Sequence, residues 1–378
     1  MEKRRFEKLG IDVSLLGFGC MRFPTGPDGK INRPLAEKMM EKAMENGVNY
    51  IDTAYPYHGG ESELFVGEVL KKHPRDSFYL ATKLPCWFVN EVSDVDKYFN
   101  EQLQKLRVDY VDFYLMHAMN RGSWEKMVKI GAVKRLEELK AEGKIRFLGF
   151  SFHDDYSAFE EILNYRDWDF CQIQLNYVDT EEQAGLRGYR LAEEKGVPLT
   201  IMEPIKGGSL ANFSKDIMEV FEEARPGASA ASFALRYVAS MPNILTVLSG
   251  MSTMEQVEDN LKTFVNFVPM EEKEYQAIEK VKAIMNGRVQ NGCTGCRYCM
   301  PCPFGVDIPG NFSVWNRYHV YQNYNIVKRQ WEEMEMKNAQ AGNCKECGKC
   351  EKACPQHLSI REDLKKVQAD LEKKEMTL

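Results

Sequence analysis

The chain has 378 residues, 44 % of them apolar, and 50 Lys and Arg against 56 Asp and Glu give a formal charge of −6. That composition excludes a mainly disordered chain and suits two or three domains, or one large barrel with an appendage. No run approaches ~20 apolar residues, the charged start lacks a signal-peptide core, and no basic run favours nucleic acid, so a cytoplasmic protein with no membrane or nucleic acid partner is expected.

Arg5 to Val13 reads as a hairpin ahead of the main body. Eight short apolar runs follow, at Leu15–Gly19, Asn49–Thr53, Phe78–Lys83, Tyr110–His117, Arg146–Ser151, Phe170–Asn176, Pro198–Pro204 and Ile244–Gly250. They are continuous more than alternating, as strands buried on both faces are. Helical patterns lie between them. Val95, Phe99, Leu103 and Leu106 recur at helical spacing, with Ser93 as the predicted N-cap. Gly47, Gly143 and Gly196 each sit where a helix should stop. Alternation of eight strands with helices predicts an α/β fold, a parallel (β/α)8 TIM barrel. A doubly wound open sheet also alternates, but seldom needs eight strands. It would usually carry a three-glycine phosphate loop, and Gly17 to Arg22 lacks the third glycine.

Barrel chemistry gathers at the C-terminal ends of strands. Strand two ends in Asp52-Thr53-Ala54, with Tyr57 soon after; strand three ends in Thr82-Lys83; strand four ends in Met116-His117. A tyrosine titrates near 10 and is a weak acid at neutral pH. A neighbouring ammonium stabilises its phenolate, and a carboxylate holds that lysine in place. A histidine orients a substrate carbonyl by hydrogen bonding. The set suits carbonyl reduction, in which hydride reaches carbon and a proton reaches oxygen. A buried Asp–Lys pair beside a core Tyr and a satisfied His is the bland alternative; four such residues at neighbouring strand ends disfavour it.

The Asp-Thr-Ala-x-x-Tyr run followed by Gly59 to Glu63, the Ala-Thr-Lys run and the Leu-Met-His ending resemble the aldo/keto reductases over roughly residues 5–285. The resemblance implies Tyr57 as general acid, Lys83 and Asp52 as its tuners, and His117 as the residue that orients substrate. It also implies NADP or NAD as cofactor, with Ser151 and Gln172 at the nicotinamide carboxamide and Asn260 at the adenine. Trp87 would line the substrate pocket. There are departures. Met202 stands where family members often stack an aromatic ring on the nicotinamide, and Glu203 stands where a small polar residue is common. Residues 250–259 contain three acids and no base, although NADP-preferring members usually place Lys or Arg there. A 2′-phosphate dianion would find little complementary charge, which favours NADH or weak nicotinamide binding.

Eight of the 11 cysteines fall between positions 293 and 354. The first run is Cys293, Cys296, Cys299 and Cys302 before Pro303; the second is Cys344, Cys347, Cys350 and Cys354 before Pro355. Structural zinc usually takes two separated pairs, and disulfides suit exported chains, so two runs of four favour iron–sulfur clusters. The second run resembles the bacterial two-cluster ferredoxin pattern residue for residue, while the first has one residue fewer before its last Cys. That resemblance implies two [4Fe-4S] clusters. One would sit on Cys293, Cys296, Cys299 and Cys354, the other on Cys344, Cys347, Cys350 and Cys302. The intervening stretch, with Trp315, Tyr318, Tyr321, Tyr324 and Trp331, is predicted to be helical and to serve as core or interface. Cys20, Cys86 and Cys171 read as ordinary barrel cysteines.

The expected organisation is thus an aldo/keto reductase-like barrel at 1–286 and a small, α-rich ferredoxin-like domain at 287–378. Nicotinamide moves two electrons as hydride and a cluster moves one, so direct exchange normally needs a flavin or metal; no flavin motif is found. The favoured reading is a carbonyl reductase acting on a small-molecule carbonyl, with the clusters supplying or accepting electrons for a ferredoxin or other redox partner, or holding structure. A ferredoxin-coupled reductase independent of nicotinamide is the second reading, and a non-enzymatic electron-transfer or redox-sensing protein the third.

Overall fold

Ten strands occur among residues 1–373, which the computed structural model describes: β1 (Lys3–Phe6), β2 (Ile11–Ser14), β3 (Leu16–Gly19), β4 (Tyr50–Asp52), β5 (Tyr79–Leu84), β6 (Val111–Met119), β7 (Ile145–Phe152), β8 (Cys171–Gln174), β9 (Leu199–Met202) and β10 (Ile244–Gly250). The first two pair antiparallel as the predicted hairpin. The other eight close into a parallel barrel in the order β10-β3-β4-β5-β6-β7-β8-β9. Each predicted apolar run supplies one of these strands, and closure excludes the doubly wound sheet.

Close packing explains the glycines of β3. A Cβ on Gly17 would lie 2.8 Å from a Leu248 methyl and 2.9 Å from the Thr246 hydroxyl, on the strand that closes the barrel. Strand contact, not phosphate binding, therefore requires Gly17. Leu9, Ile11 and Val13 of the hairpin pack with barrel residues Tyr50, Phe113, Phe170 and Leu245.

Helices between strands behave largely as their sequences suggest. Arg33–Glu45, Ala132–Ala141 and Gly185–Glu194 are each followed, two residues on, by Gly47, Gly143 and Gly196 at φ of 92°, 76° and 64°. These left-handed positions are the predicted stops. The expected N-cap at Ser93 is corrected. Helix Val92–Leu106 is capped by Glu91, whose side chain pairs reciprocally with Asp94 in a capping box, and the Ser93 hydroxyl donates to Glu91 Oε1 at 2.8 Å.

The chain groups into two compact units. One comprises Met1–Gly207 with Ala231–Met270, and the other Gly208–Ala230 with residues from Glu271 onward. Helices Lys215–Ala224 and Glu272–Gly287 belong to the second unit, where Arg288 donates to Asp216 Oδ2 at 2.6 Å. A domain boundary at 286/287 remains a proposal based on the cysteines. In the second unit, Trp315, Tyr318, Tyr324 and Trp331 lie in one buried core with Ile360, Leu364 and Val367. They sit on helices Ile308–Tyr321 and Tyr324–Met336, while Tyr321 stacks on Phe213, centroids 6.5 Å apart. The predicted aromatic helices thus serve as core.

Candidate active site and cysteine cavities

Strand pairing carries Asp52 and Lys83 to neighbouring strand ends, with Asp52 opposite Ala81 and Lys83 opposite Leu115. Lys83 Nζ donates to both Asp52 oxygens at 2.7 and 2.8 Å and to the Thr53 carbonyl at 2.8 Å. All three ammonium protons have acceptors, and both charged side chains are buried. Without such saturation the burial would cost several kcal/mol per ion. Burial opposes the Lys83 charge, but Asp52 and Tyr57 outweigh it and raise its pKa; burial raises Asp52 too, against the pull of Lys83.

Tyr57 begins a tight turn, Tyr57–Gly60, in which His58, Gly59 and Gly60 all have positive φ, at 52°, 65° and 94°. Two glycines make that turn affordable, and it leads directly into helix Glu61–Leu70. The Tyr57 ring centroid lies 5.1 Å from Lys83 Nζ and 6.0 Å from the His117 ring. Burial pushes the Tyr57 hydroxyl above its ordinary value and Lys83 pulls it back without prevailing. The expected lowering by lysine is therefore present but outweighed by desolvation.

His117 lies two residues before the end of β6. Burial, then the Lys83 charge, lower its pKa to about 3, so the imidazole is neutral at physiological pH. Its Nδ1 is buried without a partner among the described residues. Trp87, 44 % exposed in the turn Cys86–Phe88, lies over His117 with centroids 5.1 Å apart. Asp52, Tyr57, Lys83 and His117 are thus brought together, with Trp87 beside them.

Behind Lys83 lies a network with little signal in the sequence. Thr82 and Gln102 donate to Glu63 Oε1 at 2.7 and 2.6 Å, Gln102 also donates to the Lys83 carbonyl at 3.0 Å, and Tyr114 donates to Gln102 Oε1 at 2.6 Å. All of these side chains are buried. Glu63 belonged to the recognised motif; Gln102, on a helix 39 residues away, had nothing to mark it.

Ser151 of β7 pairs in register with Gln172 of β8. Ser151 Oγ accepts from the Ala118 N–H at 2.8 Å, which leaves its own proton for a ligand. The Gln172 amide nitrogen reaches only the Met202 sulfur at 3.3 Å, and its buried Oε1 has no partner among the described residues. An amide with such weak internal satisfaction fits a bound carboxamide. Asn260 is buried and donates to Ser249 Oγ at 2.8 Å, an internal bond not foreseen for an adenine contact. Arg22 packs against Gly250, where a Cβ would come within 2.7 Å of its side chain, so one base does stand beside the acidic segment. Helix Met254–Val265 begins there with Glu255 in its first turn. Its own backbone N–H, with help from Thr253, holds the Glu255 carboxyl below the usual range. An anionic side chain therefore already serves the helix start.

The eight C-terminal cysteines divide between two neighbouring cavities. Cys293, Cys296, Cys299 and Cys354 line one; Cys302, Cys344, Cys347 and Cys350 line the other, with Cys299 also at its wall. The grouping implied by the ferredoxin pattern, fourth cysteines exchanged, is thus the grouping in space. Asn291 and Asn316 pin the start of the first run: Cys293 N–H donates to Asn291 Oδ1 at 2.9 Å, and Asn316 Nδ2 donates to the Asn291 carbonyl at 2.7 Å. In the second run the Glu346 N–H donates to Cys344 Sγ at 3.4 Å. Apart from the shared Cys299 at the wall of the second, each cavity has its own four cysteines, the number of thiolates a cubane cluster takes. Cys20, Cys86 and Cys171 are buried in the barrel unit, and burial raises all three thiols.

Among the described residues no helix is long and apolar enough to cross a membrane. Residues 15–283 match the aldo/keto reductase family, and residues 292–359 match a 4Fe-4S dicluster domain. An NADH-specific methylglyoxal reductase of Escherichia coli is 27 % identical over 308 residues, covering 69 % of this chain and 93 % of that protein. L-galactose dehydrogenase of Arabidopsis thaliana is 28 % identical, covering 75 % and 94 %. Among solved structures, an aldo-keto reductase from Bacillus halodurans in its holo form aligns with a TM-score of 0.62 at 27 % identity, over 74 % of this chain and 96 % of its own. One from Klebsiella pneumoniae in complex with NADPH shares the fold at 21 % identity, with a TM-score of 0.62 over 75 % of this chain and 96 % of its own.

Proposed function

The chain belongs to the aldo/keto reductase family and carries a 4Fe-4S dicluster domain; on that footing we propose that it reduces a small aldehyde or ketone with NADH at Asp52, Tyr57, Lys83 and His117. The observation that carries this reading is the position of Tyr57, 5.1 Å from the Lys83 ammonium and 6.0 Å from a neutral His117 ring. Bound NADH would supply hydride to the carbonyl carbon. The Tyr57 hydroxyl gives its proton to the carbonyl oxygen, and Lys83, held by Asp52, stabilises the phenolate left behind. Neutral His117 donates a hydrogen bond to that oxygen and aligns it. Ser151 and Gln172 hold the carboxamide, Asn260 lies toward the adenine, and Trp87 walls the substrate pocket.

NADH rather than NADPH is favoured by Glu255 at the helix start, and the Escherichia coli relative is named for the same preference. The two cysteine cavities would hold one [4Fe-4S] cluster each, and such clusters supply one-electron transfer. Eight thiolates kept as ligands imply a reducing, cytoplasmic compartment.

Anaerobic purification with iron and sulfide counts, followed by titration with both nicotinamides, tests this reading. NADH should bind more tightly than NADPH, and Tyr57→Phe should lower kcat for aldehyde reduction by about 10²–10⁴ with NADH binding retained. Unchanged activity in that variant overturns the proposal. Failure of both nicotinamides to bind would instead favour a ferredoxin-coupled reductase, for which Met202, in place of a stacking aromatic ring, is the specific observation.

A further inference from the structure

Charge is unevenly distributed along this chain. Residues 1–286 hold 36 Lys and Arg against 45 Asp and Glu, whereas residues 287–378 hold 14 against 11. The acidic protein therefore ends in a basic module. The imbalance is sharper around Cys347, which is exposed. Both acids of the second cysteine run are neutralised: Glu346 by Lys365 and Glu351 by Arg361, each at 2.8 Å. Lys345, Lys349 and Lys352 in the same run are exposed and form no ion pair among the described residues. Tyr298, 71 % exposed, and Phe304, 43 % exposed, line the same cavity as Cys347, Lys345 and Lys349.

We propose that this rim is the docking surface for an acidic one-electron carrier protein, with Lys345, Lys349 and Lys352 steering it and Tyr298 and Phe304 giving an apolar contact. Lys345 and Lys349 share the cavity wall with these exposed rings, and Lys352 follows three residues after Lys349 on helix Lys349–Ala353. They suit a transient partner, which needs electrostatic guidance and a small desolvated centre. Exposure of Cys347 places the edge of the cluster site at that contact. In the exchange one electron passes from the carrier's reduced centre to the oxidised cluster. The carrier is oxidised, the cluster is reduced, and no bond is made or broken. The inference rests on the reading that the cysteine cavities hold clusters.

The test uses the anaerobically purified full chain with iron counted, and an acidic bacterial two-cluster ferredoxin as probe. Its Kd should weaken by at least about tenfold between 50 and 500 mM NaCl. A Lys345→Glu, Lys349→Glu, Lys352→Glu triple variant should lose at least about tenfold in affinity with iron content and cluster spectrum unchanged. If charge reversal disturbs cluster loading, the corresponding Lys→Gln triple variant serves with the same expectation. Loaded protein that does not bind the probe, or binds the variant equally well, overturns the docking surface and leaves the cluster reading intact. Salt-sensitive self-association abolished by the triple variant would assign the patch to a second copy and overturn the proposal. A chain that binds no iron would overturn the cluster reading itself and the docking surface with it.

Discussion

Two residues of the barrel site titrate away from neutrality in opposite directions. His117 is pushed down to about 3 by burial and by Lys83, while burial raises Tyr57 above its ordinary value near 10. The proposed carbonyl reduction needs neutral His117 and protonated Tyr57, and both forms persist across the physiological range. We therefore predict a flat profile of kcat/KM for aldehyde reduction between about pH 5 and 9, with loss only on the alkaline side as Tyr57 gives up its proton. A steady-state pH series measures it, and an inflection near pH 6.5 would mean that His117 titrates as an ordinary histidine. His117 was legible because it stands at the end of an apolar run, and Tyr57 because it follows one within the Asp-Thr-Ala-x-x-Tyr motif. Their protonation was not. Proximity of a lysine suggests an acidic tyrosine, but desolvation depends on atoms supplied by distant segments.

At the scale of elements, two local arrangements carry consequences. Helix Met254–Val265 carries Glu255 in its first turn, where, in the proposed nicotinamide site, a 2′-phosphate would need positive charge. Glu255→Lys should therefore improve NADPH binding by about tenfold and weaken NADH little, as read from fluorescence titration of each cofactor. Helix Val92–Leu106 contributes Gln102 to the buried network behind Lys83. Gln102→Leu leaves the Tyr114 hydroxyl without its acceptor and takes a donor from Glu63, both buried. Loss of about 2 kcal/mol or more in chemical denaturation is expected, with kcat lowered through displacement of Lys83. Strand positions were readable because burial on both faces leaves a continuous apolar signature. The cap of this helix was not, since Glu91 and Asp94 supply it through a reciprocal pairing that the more usual capping residue Ser93 concealed.

For the whole molecule, the arrangement of the cysteines matters most. Cys354 lines the cavity of the first run and Cys302 that of the second, so each run completes the other's site. Cys354→Ala should disturb the cluster assigned to Cys293, Cys296 and Cys299, and Cys302→Ala the other, with distinguishable EPR signals and less than full iron in each. Identical spectra from the two variants would contradict separate assignment. The sequence by itself determined the barrel, the residue types at its strand ends and the cysteine spacing, because periodicity, burial and ligand spacing are local properties of the chain. Only the tertiary structure decided that Tyr57 faces Lys83 and His117, that Gln102 and Glu63 brace Lys83, and that Cys354 and Cys302, whose exchange the ferredoxin resemblance implied, line the other run's cavity. Those relations join residues far apart in sequence, and backbone closure and core packing bring them within reach of one another.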